Sequence, residues 1–180
     1  QEIYRFGVGN IENNELATPI ILDCGANIGL SSIYFKTIYP NAELHAFEPD
    51  EKIFSVLEKN MQDNHFKKVH LHQAAVWTEN TQLSFVNKGS EASAIDASGQ
   101  SEHKVSAIKL ANYMSQFEKI DFLKMDIEGA EFEVVQDCAA ELHKVQHFFL
   151  EYHGLATQTS QLNTLLQIVE KSGFKVYIKM

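Results

Sequence analysis

Three short stretches of this chain gather the residue types that chemistry needs. The first is Asp23-Cys24-Gly25-Ala26-Asn27-Ile28-Gly29, directly after the apolar run Pro19-Ile20-Ile21-Leu22. Glycines at such a turn let backbone approach a ligand closely. A pyrophosphate-binding turn reads G-x-G-x-x-G. Here Asn27 stands in place of the second glycine and Leu30 in place of the third. The turn is instead opened by an acid, Asp23, which suits a ligand carrying an ammonium group and a sulfonium rather than a diphosphate. Taken alone, it also reads as a tight strand-to-helix connection with no ligand. The second stretch is Ala46-Phe47-Glu48-Pro49, with Glu48 placed 25 residues after Asp23. A carboxylate there can accept both ribose hydroxyls of a nucleoside-containing cofactor and repels a 2′-phosphate by like charge. A nucleoside, an ammonium group and a sulfonium together describe S-adenosyl-L-methionine. The expected contacts are Asp23, Gly25, Asn27, Gly29 and Glu48, with Pro49 and Ala75 flanking the adenine.

The third stretch is Asp121-Phe122-Leu123-Lys124-Met125-Asp126-Ile127-Glu128-Gly129-Ala130-Glu131. In a strand, Lys124 and Asp126 share one face while Leu123 and Met125 take the other. A lysine inside a strand covered on both faces is costly unless paired, and Asp126 or Glu151 is the natural partner. Transfer of a methyl group from sulfonium to oxygen needs in-line alignment and a group to take the hydroxyl proton. Asp126 is expected as that base or as the acceptor-orienting group, with Glu128 assisting. Glu131 reads as negative charge favoured at a helix N-terminus. Glu151 and His153, in Leu150-Glu151-Tyr152-His153-Gly154, are expected to line the acceptor mouth. With Asp126 they would offer oxygen and nitrogen ligands to Mg²⁺ or another divalent ion, although the reading adopted has no metal. His70 and His72 share a face of an expected edge strand with no third ligand nearby in sequence, and read as solvent-facing.

Positioning these groups requires a particular order of elements. Apolar residues suggest strands at 19–23, 42–47 and 69–76. Between them Leu30, Ile33, Tyr34, Thr37 and Ile38, then Ile53, Phe54, Leu57 and Met61, recur at helical spacing. Pro40 stops the first helix, and Asp50 is placed to cap the second. Further strands are expected at 105–108, 122–126 and 147–151. Helices are expected at 110–117, from Glu128 through Leu142, and over Leu162, Leu165, Leu166 and Val169, ended by Gly173. Phe174, Val176 and Ile178 alternate as a last strand. Strand–helix alternation of this kind predicts an α/β fold with a doubly wound, mostly parallel sheet. Ligands bind such a sheet outside the C-terminal ends of its strands. The polar, Gly/Ser-containing stretch at 78–104 is expected as a surface excursion or lid, and Thr81 to Val86 could add a strand there. Residues 1–18 would be an N-terminal extension to a single domain over 1–180.

Bulk properties narrow the classes. The 180 residues are 44% hydrophobic and 22% charged, enough for one packed domain. The formal net charge of −9 argues against a nucleic-acid partner, which favours a basic face. No apolar run is long enough to span a membrane. Gln1-Glu2-Ile3-Tyr4-Arg5 does not read as a secretory leader. Cys24 and Cys138 form no metal or redox spacing and read as free thiols of a cytoplasmic protein. There is no G-x-S-x-G elbow for nucleophilic hydrolysis.

Leu22-Asp23-Cys24-Gly25-Ala26-Asn27-Ile28-Gly29, Ala46-Phe47-Glu48-Pro49 and the run K-x-D-x-E-G-A-E from Lys124 to Glu131 resemble the FkbM-type methyltransferases over about residues 20–155. The resemblance implies a Rossmann-like class I methyltransferase fold, S-adenosyl-L-methionine as cofactor, and O-methylation of a hydroxyl on a sugar or secondary metabolite. The partner is then a small-molecule or glycan acceptor. Two departures stand out. Leu110-Ala111-Asn112-Tyr113 lacks an aspartate that the family commonly carries, and one expected strand, followed by Met180, replaces the family's closing antiparallel hairpin. Two other classes share the fold: an NAD-dependent oxidoreductase, against which the first turn speaks, and a non-catalytic nucleoside-binding domain.

Overall fold

The computed structural model describes residues 18–87, 93–95, 104–154 and 158–178. The expected N-terminal extension lies outside these residues except for its last, as do the parts of the expected lid around Gly89-Ser90 and Ala97-Ser98-Gly99.

Five parallel strands form the central sheet: β1 (Ile20–Cys24), β2 (Glu43–Phe47), β3 (Val69–His72), β8 (Ile120–Met125) and β9 (Val145–Leu150), in the order β3-β2-β1-β8-β9. The strands β1 and β8 are buried along nearly their whole length, as expected of central parallel strands covered on both faces. The chain builds outward from β1 to β3, then returns to the other side of β1. The strand order therefore reverses between β1 and β8, where a doubly wound sheet opens a crevice.

The helices that frame this crevice follow their sequence signals. Helix α1 (Leu30–Ile38) begins after Gly29 and stops before Pro40. In α2 (Glu51–Asp63), the Asp50 carboxylate accepts hydrogen bonds from the backbone N–H of Lys52 at 2.9 Å and Ile53 at 3.1 Å, as an N-cap should. A Cβ at Gly29, where φ is +90°, would lie 2.6 Å from Leu57 Cδ1. Gly29 thus serves the close approach of the first turn to α2. Gly29→Ala should destabilise the fold by about 1–3 kcal/mol through overpacking and left-handed strain, measurable by urea unfolding.

Several expectations change. The apolar run at 69–76 is two strands: the chain leaves the central sheet at Gln73, and β4 (Ala75–Trp77) joins a second sheet. That sheet has the order β4-β7-β5-β6, with β5 (Thr81–Asn87), β6 (Ser93–Ile95) and β7 (Lys104–Lys109). The stretch expected as a lid therefore contributes paired strands. Next come α3 (Leu110–Met114), α4 (Glu131–Asp137), a 3-10 turn (Leu142–Lys144) and α5 (Thr159–Lys171). Helix α4 starts later than expected because Glu128 and Gly129 take positive φ, 58° and 104°, which a helix cannot accommodate. Residues 174–178 form no strand. Phe174 and Val176 nonetheless pack on the core, but Ile178, the third residue of the expected alternation, is exposed like Tyr177. Among the described residues no helix is long and apolar enough to cross a membrane.

Candidate active site

A pocket opens at the switch point. It is lined by Gly25 and Asn27 after β1, by Phe47, Glu48 and Pro49 at the end of β2, and by Ile53 of α2. Ala74, Ala75 and Val76 close one side; Asp126, Ile127, Glu128 and Ala130, after β8, close the other. Of the residues expected to hold a cofactor, Gly25, Asn27, Glu48, Pro49 and Ala75 meet here, together with both expected catalytic carboxylates.

Backbone geometry draws the three strand ends together. Gly25 and Ala26 donate to the Phe47 carbonyl at 3.1 and 2.9 Å, and Asp126 N–H donates to the Cys24 carbonyl at 3.1 Å. A Cβ at Gly25 would stand 1.8 Å from the Asp126 carbonyl oxygen. Only glycine permits this approach, so the first turn and the end of β8 form one wall.

Glu48 is 6% exposed. Its Oε2 accepts from the backbone N–H of Asn27 at 3.0 Å, and its Oε1 from that of Asp50 at 2.9 Å. Burial pushes the carboxyl up to about 6, against the opposing pull of those two N–H groups. A carboxylate offers about four lone-pair sites, so two remain for donors entering the pocket.

Asp23 and Gly29 are not among the pocket-lining residues. The Asp23 carboxylate is fully buried. Its Oδ2 accepts from the Ser31 and Ser32 hydroxyls, each at 2.6 Å, and Oδ1 faces Lys124 Nζ at 3.5 Å. The structure thus places the Asp23 charge beneath the turn rather than on the pocket wall. Lys124 Nζ also donates to the Gly25 carbonyl at 2.9 Å and lies 3.4 Å from Asp126. Asp23, paired with Lys124 in register across β1 and β8, thus joins Asp126 as a partner, and Glu151 is not one of the residues bonded to this lysine. Burial alone would lower the ammonium, but the carboxylates of Asp23 and Asp126 outweigh it and hold it above its usual range.

The turn after β8 is organised by two residues given lesser parts by sequence. Glu131 is fully buried at the start of α4. It accepts from the backbone N–H of Ile127 and Gly129 at 3.1 Å, and its Oε1 lies 3.0 Å from His153 Nδ1. It therefore fixes both the positive-φ turn after β8 and the imidazole ring, which is more than a helix-dipole role. The other ring nitrogen, Nε2, stands 3.8 Å from each of Asp126, Glu128 and Glu151. Burial would lower the imidazole, but the Glu131 hydrogen bond and the charges of Glu131, Glu128 and Asp126 raise it overall. Asp126, Glu151 and His153 also present ligand atoms within 4.8 Å of one another. The run from Lys124 to Glu131 carried the signal for Glu131. The link to His153, 22 residues later, is a tertiary contact with no local signature.

The sequence matches the model of the methyltransferase FkbM domain over residues 23–176. Methyltransferase 1 of Beauveria bassiana is 24% identical over 185 aligned residues, covering 88% of this chain and 73% of that protein. The 2-O-methyltransferase NoeI of Sinorhizobium fredii is 28% identical, covering 82% of this chain and 69% of its own length. In fold, the chain is similar to the precorrin-6y C5,15-methyltransferase of Geobacter metallireducens, with a TM-score of 0.54 at 14% identity over 90% of this chain and 67% of that one. A family match over most of the chain, on a sheet whose switch point gathers the matched motifs, identifies it: the protein belongs to the FkbM methyltransferase family.

Proposed function

We propose that this methyltransferase binds S-adenosyl-L-methionine in the switch-point pocket and methylates a hydroxyl of a small-molecule or glycan acceptor. The observation that carries the cofactor is Glu48, a buried carboxylate with lone pairs left over, set beside the apolar wall of the pocket. Keeping it ionised in the ligand-free protein costs about 2 kcal/mol, the equivalent of its upward shift. Two ribose hydroxyls would offset that cost. Ala74, Ala75, Val76 and Pro49 supply the apolar walls an adenine needs. The cofactor, when bound, supplies the electrophilic methyl group.

The chain's own residues supply alignment and proton transfer. Asp126 and Glu128 orient the acceptor hydroxyl beside His153, and the imidazole Nε2 takes its proton. Glu131 holds Nδ1 and stabilises the resulting imidazolium, in the way a carboxylate orients a catalytic histidine. This division keeps Asp126 as the acceptor-orienting group and moves the base to His153. The similarity to NoeI, a 2-O-methyltransferase, supports oxygen as the acceptor atom. Both cysteines are free and buried, which fits a cytoplasmic setting, and the net charge of −9 fits an acceptor other than nucleic acid.

Thermal unfolding with S-adenosylmethionine, S-adenosylhomocysteine and NAD tests the cofactor. Saturating sulfur nucleoside at 100 times its Kd should add about 2.7 kcal/mol, and NAD should add nothing. The shift should disappear in Glu48→Ala. It should also shrink from pH 8 to pH 5, because Glu48 takes up a proton near pH 6 and loses acceptor capacity for the hydroxyls. Stabilisation by NAD alone, or a shift unchanged in Glu48→Ala, would overturn the assignment.

A further inference from the structure

The other end of β2 carries a second cluster of chemically competent side chains. Glu43, His45 and Phe47 share one face of β2, and His70 and His72 share the adjoining face of β3, with His45 in register with His70 and Phe47 with His72. Glu43 Oε1 lies 3.4 Å from His45 Nε2 and 3.5 Å from His70 Nε2, and the three ligand atoms fall within 4.8 Å of one another. The sequence spacing of His70 and His72 lacked a third ligand; parallel pairing supplies one on the neighbouring strand. It also corrects the solvent-facing reading of His72, which is half-buried and bonded to Tyr113.

His45 is the informative member. It is 5% exposed, and its Nε2 is buried with no hydrogen-bond partner. Leaving such a nitrogen unsatisfied costs about 1–3 kcal/mol. Its Nδ1 lies 2.8 Å from the Tyr113 hydroxyl, which in turn lies 2.9 Å from His72 Nε2. With Tyr113 accepting from His45 Nδ1–H and donating to His72, His45 Nε2 carries a lone pair 3.4 Å from the Glu43 oxygen that His70 Nε2 also approaches. In that tautomer, a cation shared with Glu43 and His70 would satisfy the nitrogen.

We propose that Glu43, His45 and His70 bind a single Zn²⁺-class ion that clips the edge strand β3 to β2. Two ligand atoms bonded to tetrahedral zinc at about 2.0–2.1 Å stand about 3.3–3.4 Å apart. The separations of 3.4 and 3.5 Å from Glu43 match that spacing. Two imidazoles and one carboxylate select zinc over Mg²⁺ or Ca²⁺, which take oxygen ligands. Water from the exposed side completes the tetrahedron. The Tyr113 hydroxyl plays the part of the outer partner that fixes a liganding histidine's tautomer and ring angle. The His45 and His70 rings stack at 4.5 Å and 10°, so binding turns the half-exposed His70 ring out of the stack to aim its Nε2 at the ion. Glu43 begins β2, whereas Glu48 follows its last residue, so this site is separate from the pocket and its role is structural.

Titrating the chelator-treated full chain with Co²⁺, followed by visible absorption, and with Zn²⁺, followed by calorimetry, tests the site. One ion per chain and tetrahedral Co²⁺ bands are expected, unaffected by excess Mg²⁺. Tyr113→Phe should weaken binding about 10–100-fold. Both His70→Ala, at an exposed position, and Glu43→Gln, at a partly exposed one, should weaken it at least as much. His153→Ala should leave it unchanged. Absence of binding, or binding that survives both His70→Ala and Glu43→Gln, overturns the proposal. Loss in His153→Ala alone also overturns it, by placing the ion at the cluster of Asp126, Glu151 and His153.

Discussion

Replacing His153 by alanine should lower kcat about 10²–10⁴-fold, the usual contribution of a positioned general base, while the thermal shift produced by S-adenosylmethionine stays intact. The expectation rests on division of labour at the two ring nitrogens. Nδ1 is committed to the buried carboxylate of Glu131 at 3.0 Å, and Nε2 faces three further carboxylates at 3.8 Å. Those charges favour the protonated ring, so His153 loses its proton above the usual histidine range. The neutral ring is the base, and kcat/KM should therefore fall as pH drops through that raised value, with an acid limb above about 6.5. Glu131→Gln removes the largest upward influence, and the acid limb should move to lower pH as the maximal rate falls. A merely structural Glu131 would lower the amount of folded protein without moving the limb. Full turnover in His153→Ala would sink the base assignment. In the Glu43→Gln variant, activity abolished by a chelator and restored by a divalent ion would replace it with a metal held by Asp126, Glu151 and His153.

The parts of this site written in local sequence were legible, and those created by pairing were not. The apolar run ending at Asp23 with its glycine turn, the Glu48 that closes the second strand, and the Asp50 cap depend on neighbours within a few residues. Each stands where its local signal puts it. Asp23 and Gly29 belong to the same motif, but whether a side chain faces a ligand or the layer beneath it is decided by packing. Asp23 points to Ser31, Ser32 and Lys124, and Gly29 yields room to Leu57. Periodicity is blind to such choices because both faces of a central parallel strand are buried. The same blindness merged β3 and β4 into one apolar run: Val69 to Val76 alternates acceptably, yet its two halves pair in different sheets. It also hid the histidine cluster, since His45 and His70 meet only through strand register.

That packing makes the charged layer under the turn a large stability liability. Lys124→Met should destabilise the protein by about 3–5 kcal/mol, the usual result of leaving a buried charge unpaired. Asp23 is fully buried and its Oδ1 has no hydrogen bond, so Lys124 Nζ at 3.5 Å is what balances it. The loss would reach the site, because the same ammonium donates to the Gly25 carbonyl and approaches Asp126. Cofactor affinity and acceptor alignment should therefore fall together in this variant, a result that no pocket-lining residue alone would produce. The double variant Asp23→Asn, Lys124→Met separates the two effects. Asparagine can still accept from Ser31 and Ser32, and no unpaired charge remains, so most of the stability should return. The Gly25 carbonyl would still lack its donor, so catalysis should stay impaired. Urea unfolding of the two single variants and the double variant gives the coupling between Asp23 and Lys124 directly. A coupling near zero would mean that Lys124 is balanced chiefly by Asp126, and that Asp23 is held by its two serines alone.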